Sequence, residues 1–320
     1  MSMVASWQTA ASLCYFSIFA ATSYFRASFG LSRTAVGLLT ATAILGYTLN
    51  LVPSGAAVDG FGERRVMIVG LGGLGMATLA IGLAPGVSWL FLAAFGLGTV
   101  YATAMPASNR GISRVAPSGR ENSAMGIKQV GVTAGAGAAS LLIAGVALRA
   151  DWRWGFGLIA MIAGVAAVGF GLRYRGGGGT GEWTVLDFGS LRANRAYLLL
   201  VAGGLFLGAA VFTTVAYTLL YADEAVGLSV ALAGVVLAGL QATGSLGRIG
   251  AGALADRIGG GRGAASLVAI QVGAGTVLLA GLALGPRSAT LSILLLLGVG
   301  ISIVGSTGVF YSTMTAIVET

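Results

Sequence analysis

The strongest constraint on this chain is a succession of apolar runs, each long enough to cross a bilayer, separated by short links of arginine and glycine. A span needs about 20 mostly apolar residues. Ten such runs can be read: roughly 6–25, 35–57, 66–84, 88–108, 124–147, 153–172, 196–220, 227–250, 264–284 and 289–312. In lipid every backbone N–H and C=O must find its partner within the protein, and continuous runs of this length do so as helices. Of 320 residues, 56% are hydrophobic and 9% charged, whereas soluble domains carry about 25% charged residues. The 54 glycines sit inside Ala/Val/Leu runs, where small residues let membrane helices approach closely. The chain is expected to be an all-α membrane protein.

Several classes of chemistry are excluded by what is missing. Histidine is absent, which removes imidazole catalysis and imidazole metal ligation. The single cysteine, Cys14, lies in the first apolar run and reads as a small core residue. The glycine-rich stretches 70–75 and 171–181 contain no strand–GxxxxGK[ST]–helix phosphate loop. No enzyme, cofactor or metal site is therefore expected, and without an ATP motor any concentrating work must draw on an ion or substrate gradient. The net charge of +8 does not point to nucleic acid, because the basic residues are scattered through loops between spans.

Those loops set an orientation. With the N-terminus cytoplasmic, the inner loops hold twelve arginines: 64, 65, 110, 114, 120, 173, 175, 192, 195, 248, 257 and 262. The outer side holds five, at 26, 33, 149, 153 and 287. The excess inside follows the positive-inside rule. Trp7, Trp89, Trp152, Trp154 and Trp183 flank spans and read as an interfacial aromatic belt, and Asp223 and Glu224 as residues of an outer loop. The glycine-rich stretch between Arg173 and Arg195 reads as a flexible cytoplasmic linker. It divides an N-terminal bundle of six helices (1–172) from a C-terminal bundle of four (196–320), with 173–195 as the link.

The two halves share a motif. Gly55, Asp59, Gly62 and Arg65 recur as Gly252, Asp256, Gly259 and Arg262 at a constant offset of 197 residues (252 − 55). Arg64 and Arg257 accompany the two copies. This G-x-x-x-D-x-x-G-x-[RK]-[RK] pattern between spans two and three, with its degenerate copy between spans eight and nine, resembles the major facilitator superfamily. The resemblance implies two homologous helix bundles related by a repeat, and secondary transport by alternating access with a site between the bundles near mid-membrane. It also implies twelve helices, so the ten present suggest a sequence lacking its last two, a ten-helix protein being the alternative. In the family this loop cluster is thought to hold the halves together when the outside is open. Physically, Asp59 can pair with an arginine or a helix N-terminus. Gly55 and Gly252 would allow close helix contact, while Gly62 and Gly259 suit a tight turn. The alternative is that these charges only solvate an inner loop.

The other informative stretch surrounds Lys128, the sole lysine, in Gly126-Ile-Lys128-Gln129-Val-Gly131. At about 100° per residue, Lys128, Gly131 and Gly135 share one helix face. Small residues face neighbouring helices, which would turn the lysine inward to meet an anionic substrate or to exchange a proton. Alternatively it snorkels to the interface, about 7 Å away at 1.5 Å per residue. With Asn109-Arg110 before it, the run resembles cyanate and organic-anion permeases of the superfamily. Drug–proton antiporters of the superfamily usually carry a Gly-Pro pair in span five, which is absent here, and no acidic residue sits mid-span in the first six helices. Arg26, Tyr101, Asn109, Gln129 and Gln241 are further candidate contacts, against readings as interface anchors or interhelical hydrogen bonds.

The expected function is transport of a small organic or inorganic anion, with protons as a candidate coupling ion, by a monomer in the cell membrane. Export of hydrophobic compounds is one alternative, and a non-transporting scaffold or sensor is another.

Overall fold

The computed structural model describes residues 2–115, 121–181, 194–258, 261–285 and 288–318. Among these residues every regular element is a helix, and nine helices are long and apolar enough to cross a membrane. The chain is a multi-pass all-α membrane protein. The run at 6–25 stands apart from those nine. It folds as α1 (Ser2–Ala20) and α2 (Thr22–Phe29), broken at Ala21. α1 is buried along most of its length, so Gln8, Ser12 and Ser17 meet protein instead of lipid and carry no insertion penalty at a lipid face.

The helices form two units, residues 1–185 with 230–235, and residues 186–229 with 236–320. The first unit adds α3 (Arg33–Phe61), α4 (Glu63–Gly82), α5 (Val87–Tyr101), α6 (Ala104–Val115), α7 (Glu121–Ala147) and α8 (Arg153–Arg173). Ser32 starts α3 by accepting the Ala35 N–H on its hydroxyl at 3.1 Å. The run at 88–108 lies in one span, Val87–Arg114, within which a tightened turn at 102–103 separates α5 from α6. Pro106 lies in the first turn of α6, where its missing N–H breaks no helical bond.

Backbones approach closely where glycine removes the side chain. A Cβ at Gly131 or Gly135 of α7 would lie 2.9 Å from the Ala5 carbonyl oxygen or 2.8 Å from the Leu13 nitrogen of α1. Gly46 and Gly98 do the same between α3 and α5. The contact expected at Gly55 and Gly252 is absent, since a Cβ at either meets nothing within 4 Å. The closest crossings lie deeper in the spans than the motif glycines.

The tryptophans also depart from expectation. Trp7 and Trp152 are buried, with their indole N–H groups donated to the Met67 carbonyl and the Ser28 hydroxyl, each at 2.9 Å. Trp89 and Trp154 are exposed, as a belt requires. Trp183 lies outside the described residues.

The second unit contains α9 (Arg195–Leu220), most of α10 (Val230–Arg257), α11 (Gly261–Ala283), α12 (Ala289–Val299) and α13 (Gly305–Val318). Asp223 and Glu224 are not loop residues; they sit half-buried in a π-helical turn, Tyr221–Ala225, that extends α9. A second π turn, Gly300–Val304, joins α12 to α13. Arg248, expected in a loop, lies well inside α10 because that helix runs on to Arg257. Its Nε donates to the Val304 carbonyl at 3.2 Å and to the Thr307 hydroxyl at 3.0 Å. A π turn displaces carbonyls from the regular ladder, and the guanidinium serves one of them. Beside it, α10 and α13 cross at glycine: a Cβ on Gly247 or Gly305 would lie 3.0 or 2.9 Å from the other's Cα.

Candidate functional site

The first copy of the motif forms a charge cluster at one end of the first unit. Asp59 is in the last turn of α3, Gly62 makes the turn, and Glu63 opens α4. A carboxylate there is favoured by the helix dipole. α6 brings Arg110 and Arg114, four residues apart on one face. Arg110 Nη1 pairs with Asp59 Oδ1 at 2.9 Å and also donates to the Val58 carbonyl at 3.2 Å. Glu63, fully buried, lies 3.7 Å from Arg110 Nε and 3.3 Å from Arg114 Nε. Arg64 turns toward the end of α8 and donates to the Tyr174 carbonyl at 2.7 Å and the Gly171 carbonyl at 2.5 Å. Arg65 is exposed.

The segment after α8 is held against this cluster. The Gly177 N–H donates to Glu63 Oε1 at 3.0 Å, and the Thr180 N–H donates to the Asp59 carbonyl at 2.9 Å. The glycine run read as a flexible linker is, over residues 174–180, a docked strap. Two of its glycines are needed for that approach: a Cβ at Gly177 would collide with the Arg114 guanidinium, and one at Gly179 with the Gly60 carbonyl. Gly62 completes the fit with φ +84, and a Cβ there would lie 2.6 Å from the Gly179 nitrogen. Burial pushes the Tyr174 hydroxyl above the ordinary tyrosine range; Glu63 adds to the shift and Arg114 opposes it.

Glu63, Arg114 and Tyr174 were not singled out from sequence. Glu63 falls between the turn glycine and the arginines of the motif, and the one signal for it in the sequence is a carboxylate at the start of a helix. In the second copy, Gly252 is half-buried and Arg257 exposed. Gly259 and the side chains of Asp256 and Arg262 lie outside the described residues.

Lys128 lies in α7, 1% exposed. Its ammonium donates to Asn109 Oδ1 and approaches Met105 Sδ at 3.6 Å, both on α6. Among the described residues both partners are neutral, so the positive charge is solvated but not balanced. Charges inside a membrane protein are costly and rare, and face the bundle interior. Here the side chain turns to α6, while Gly131 and Gly135 on the same face admit α1.

A second polar group joins α1 to α5. Gln8 Nε2 donates to Ser12 Oγ at 3.2 Å, and Ser12 Oγ is 3.0 Å from the Tyr101 hydroxyl. Tyr101 stacks on Tyr15 with centroids 4.1 Å apart and planes 2° from parallel. Of the remaining candidates, Gln129 and Arg26 are half-buried in α7 and α2. Gln241 is buried in α10, within the second unit. The structure thus joins Lys128 with Asn109, and Tyr101 with Ser12 and Tyr15.

Comparison with known proteins shows what the chain resembles. It is 34% identical over 143 residues to the puromycin resistance protein pur8 of Streptomyces alboniger, covering 44% of this chain and 28% of that protein. With the lincomycin resistance protein of Streptomyces lincolnensis it shares 33% identity over 127 residues, 39% of this chain and 26% of the relative. The chain thus spans about a quarter of the length of the curated relatives it matches. Two solved structures are of a bacterial homolog to the human lysosomal transporter Spinster, in inward-facing occupied and unoccupied conformations. They superpose with TM-scores of 0.77 and 0.78 at 18% identity, covering 99% of this chain and 76% and 77% of theirs. At that identity the likeness establishes the fold. The Major Facilitator Superfamily profile matches residues 4–319, and the chain belongs to the Major Facilitator Superfamily.

Proposed function

We propose that the protein is a secondary transporter that moves a small organic or inorganic anion across the cell membrane by alternating access, with the N-terminus cytoplasmic. The observation that carries this reading is the buried Lys128 ammonium, held by Asn109 and Met105 with no carboxylate partner among the described residues. Moving an unbalanced ammonium into a low-dielectric interior is unfavourable, and an anionic solute offsets that cost when it binds. Proton symport fits the same group, because a buried amine can release its proton once the anion has left. The Asp59–Arg110–Glu63–Arg114 cluster and its strap serve as the gate in this reading, with the second copy of the motif as its counterpart.

One observation favours a second reading. The curated relatives are named for resistance to puromycin and lincomycin, which supports export of hydrophobic or drug-like compounds. One experiment separates the two. The full-length gene product in proteoliposomes is tested for uptake of labelled small anions, and for transport of fluorescent lipophilic dyes, with and without a proton gradient. Saturable anion uptake without dye transport supports the first reading. Dye transport without anion uptake replaces it with the second.

A further inference from the structure

Gln8 ends in an amide that is only partly satisfied among the described residues. It is fully buried in α1, one end of its amide meets Ser12, and Oε1 has no hydrogen-bond partner among the described residues. If the amide were turned over, Ser12 would donate to the oxygen and the NH2 would be left unpaired instead, so one end stays open either way. Two turns further on, the Tyr15 hydroxyl is also buried without a partner among the described residues. Buried polar groups in proteins are nearly always satisfied, and one left open calls for an explanation such as a functional role or an absent bound molecule.

The position of Gln8 gives that explanation. α1 and the α5–α6 segment run antiparallel, and two contacts fix their register. Ser12 meets Tyr101 at 3.0 Å, and a Cβ on Gly111 would lie 3.4 Å from Val4 Cγ2. Gln8 lies midway between Val4 and Ser12, and so falls level with the residues around Met105. Lys128 Nζ reaches Met105 Sδ at 3.6 Å from α7. The open amide thus lies level with the turn of α6 that the lysine reaches. That turn of α6 follows the tightened turn at 102–103, where the Thr103 N–H donates to the Val100 carbonyl at 3.1 Å.

We propose that Gln8 is a specificity-determining residue of the solute site whose charge is Lys128, an inference that rests on the anion-transport reading above. Lys128 takes the acidic group of the solute, and the open end of the Gln8 amide accepts a hydrogen bond from a hydroxyl or amine on the same molecule. The solute class is a small hydroxy or amino acid anion rather than a simple carboxylate. A site built to bond a hydroxyl rejects the analogue lacking it, because the protein group is then left buried and unpaired.

The test uses the full-length gene product in proteoliposomes and labelled acids in pairs differing by one hydroxyl: propionate with 3-hydroxypropionate, butyrate with 4-hydroxybutyrate, succinate with malate. The wild type is expected to prefer the hydroxylated member of at least one pair by about tenfold or more. Gln8→Leu should lower uptake of that member to the level of its partner and leave the partner's uptake unchanged, with elution and thermal stability verifying the fold. Gln8→Asn should restore part of the preference. Lys128→Met should abolish uptake of both members. If Lys128→Met abolishes uptake while Gln8→Leu leaves the ratio intact, or lowers both members equally, this inference fails and the anion reading stands. Unchanged uptake in Lys128→Met, or no anion uptake by the wild type, overturns both.

Discussion

Replacing Gly62 with alanine should detach the strap from the charge cluster. Two costs arise at this residue. Its backbone, at φ 84 and ψ 150, lies in a region that only glycine adopts readily, and a side chain there costs about 1–3 kcal/mol. The new methyl would also lie 2.6 Å from the Gly179 nitrogen and 2.7 Å from the Gly177 oxygen, and these are backbone atoms that cannot rotate away. The strap must therefore leave, with the loss of the Gly177 bond to the Glu63 carboxylate and the Thr180 bond to the Asp59 carbonyl. A bond to a charged group contributes about 1.5–3 kcal/mol and a neutral one about 0.5–1.5 kcal/mol. The strap is partly exposed, so the lower values apply to the two bonds, and the total is about 3–5 kcal/mol.

The sole cysteine provides the assay. Cys14 is fully buried in α1, so a thiol-reactive fluorophore reports when the first unit opens on heating. At about 2–4 °C per kcal/mol for units of this size, Gly62→Ala should unmask Cys14 at least about 6 °C below the wild type. Gly178→Ala is the control within the strap, because a Cβ there meets nothing within 4 Å; it should leave the transition in place. Equal transitions for wild type and Gly62→Ala, or an equal fall in both variants, would refute the docked strap.

Glu63→Gln should destabilise the first unit more than Asp59→Asn, by about 1–3 kcal/mol after discounting for the partly exposed arginines, because Glu63 is buried while the Asp59 side chain is 39% exposed; chemical denaturation in detergent ranks the two. Gly305→Val should push α13 off α10 at the Gly247 crossing and cost about 1–3 kcal/mol, read from the unfolding of the second unit by an introduced thiol in a Cys14→Ser background. Tyr174 has its hydroxyl pKa raised in the folded state, so the folded chain holds that proton longer than the unfolded one. Stability should then fall as pH rises above the ordinary tyrosine value of 10.0, and Tyr174→Phe should flatten that alkaline slope; thermal transitions at pH 8 to 11 measure it.

The architecture was legible because hydropathy and the twice-occurring loop are local signals. Run length and the absence of water in lipid settle helix over strand before any contact is known. The finer features depend on neighbours distant in sequence. Gly55 looks like a packing glycine in the motif, yet Gly46 and Gly98 make the close crossing, since only the relative rotation of α3 and α5 decides which residues meet. Arg248 reads as an inner-side charge at the end of span eight; the Val304 carbonyl that receives it is 56 residues away. Glu63 becomes part of a cluster only because α6 delivers two arginines to it. Lys128 was poised between the interface and the interior by distance alone. α6 provides the partners, Asn109 and Met105, that keep its ammonium buried. Gln8, Ser12 and Tyr101 form a chain only because α1 and α5 meet across 89 residues of sequence.

The most direct test of the central claim is equilibrium binding of labelled small anions to the purified full-length protein, comparing the wild type with Lys128→Met. The account predicts saturable binding in the wild type that competes with unlabelled anion and is lost in Lys128→Met while the Cys14 transition shows a folded first unit. Equal binding by the two proteins would contradict it, and would leave Lys128 as a structural tie between α7 and α6.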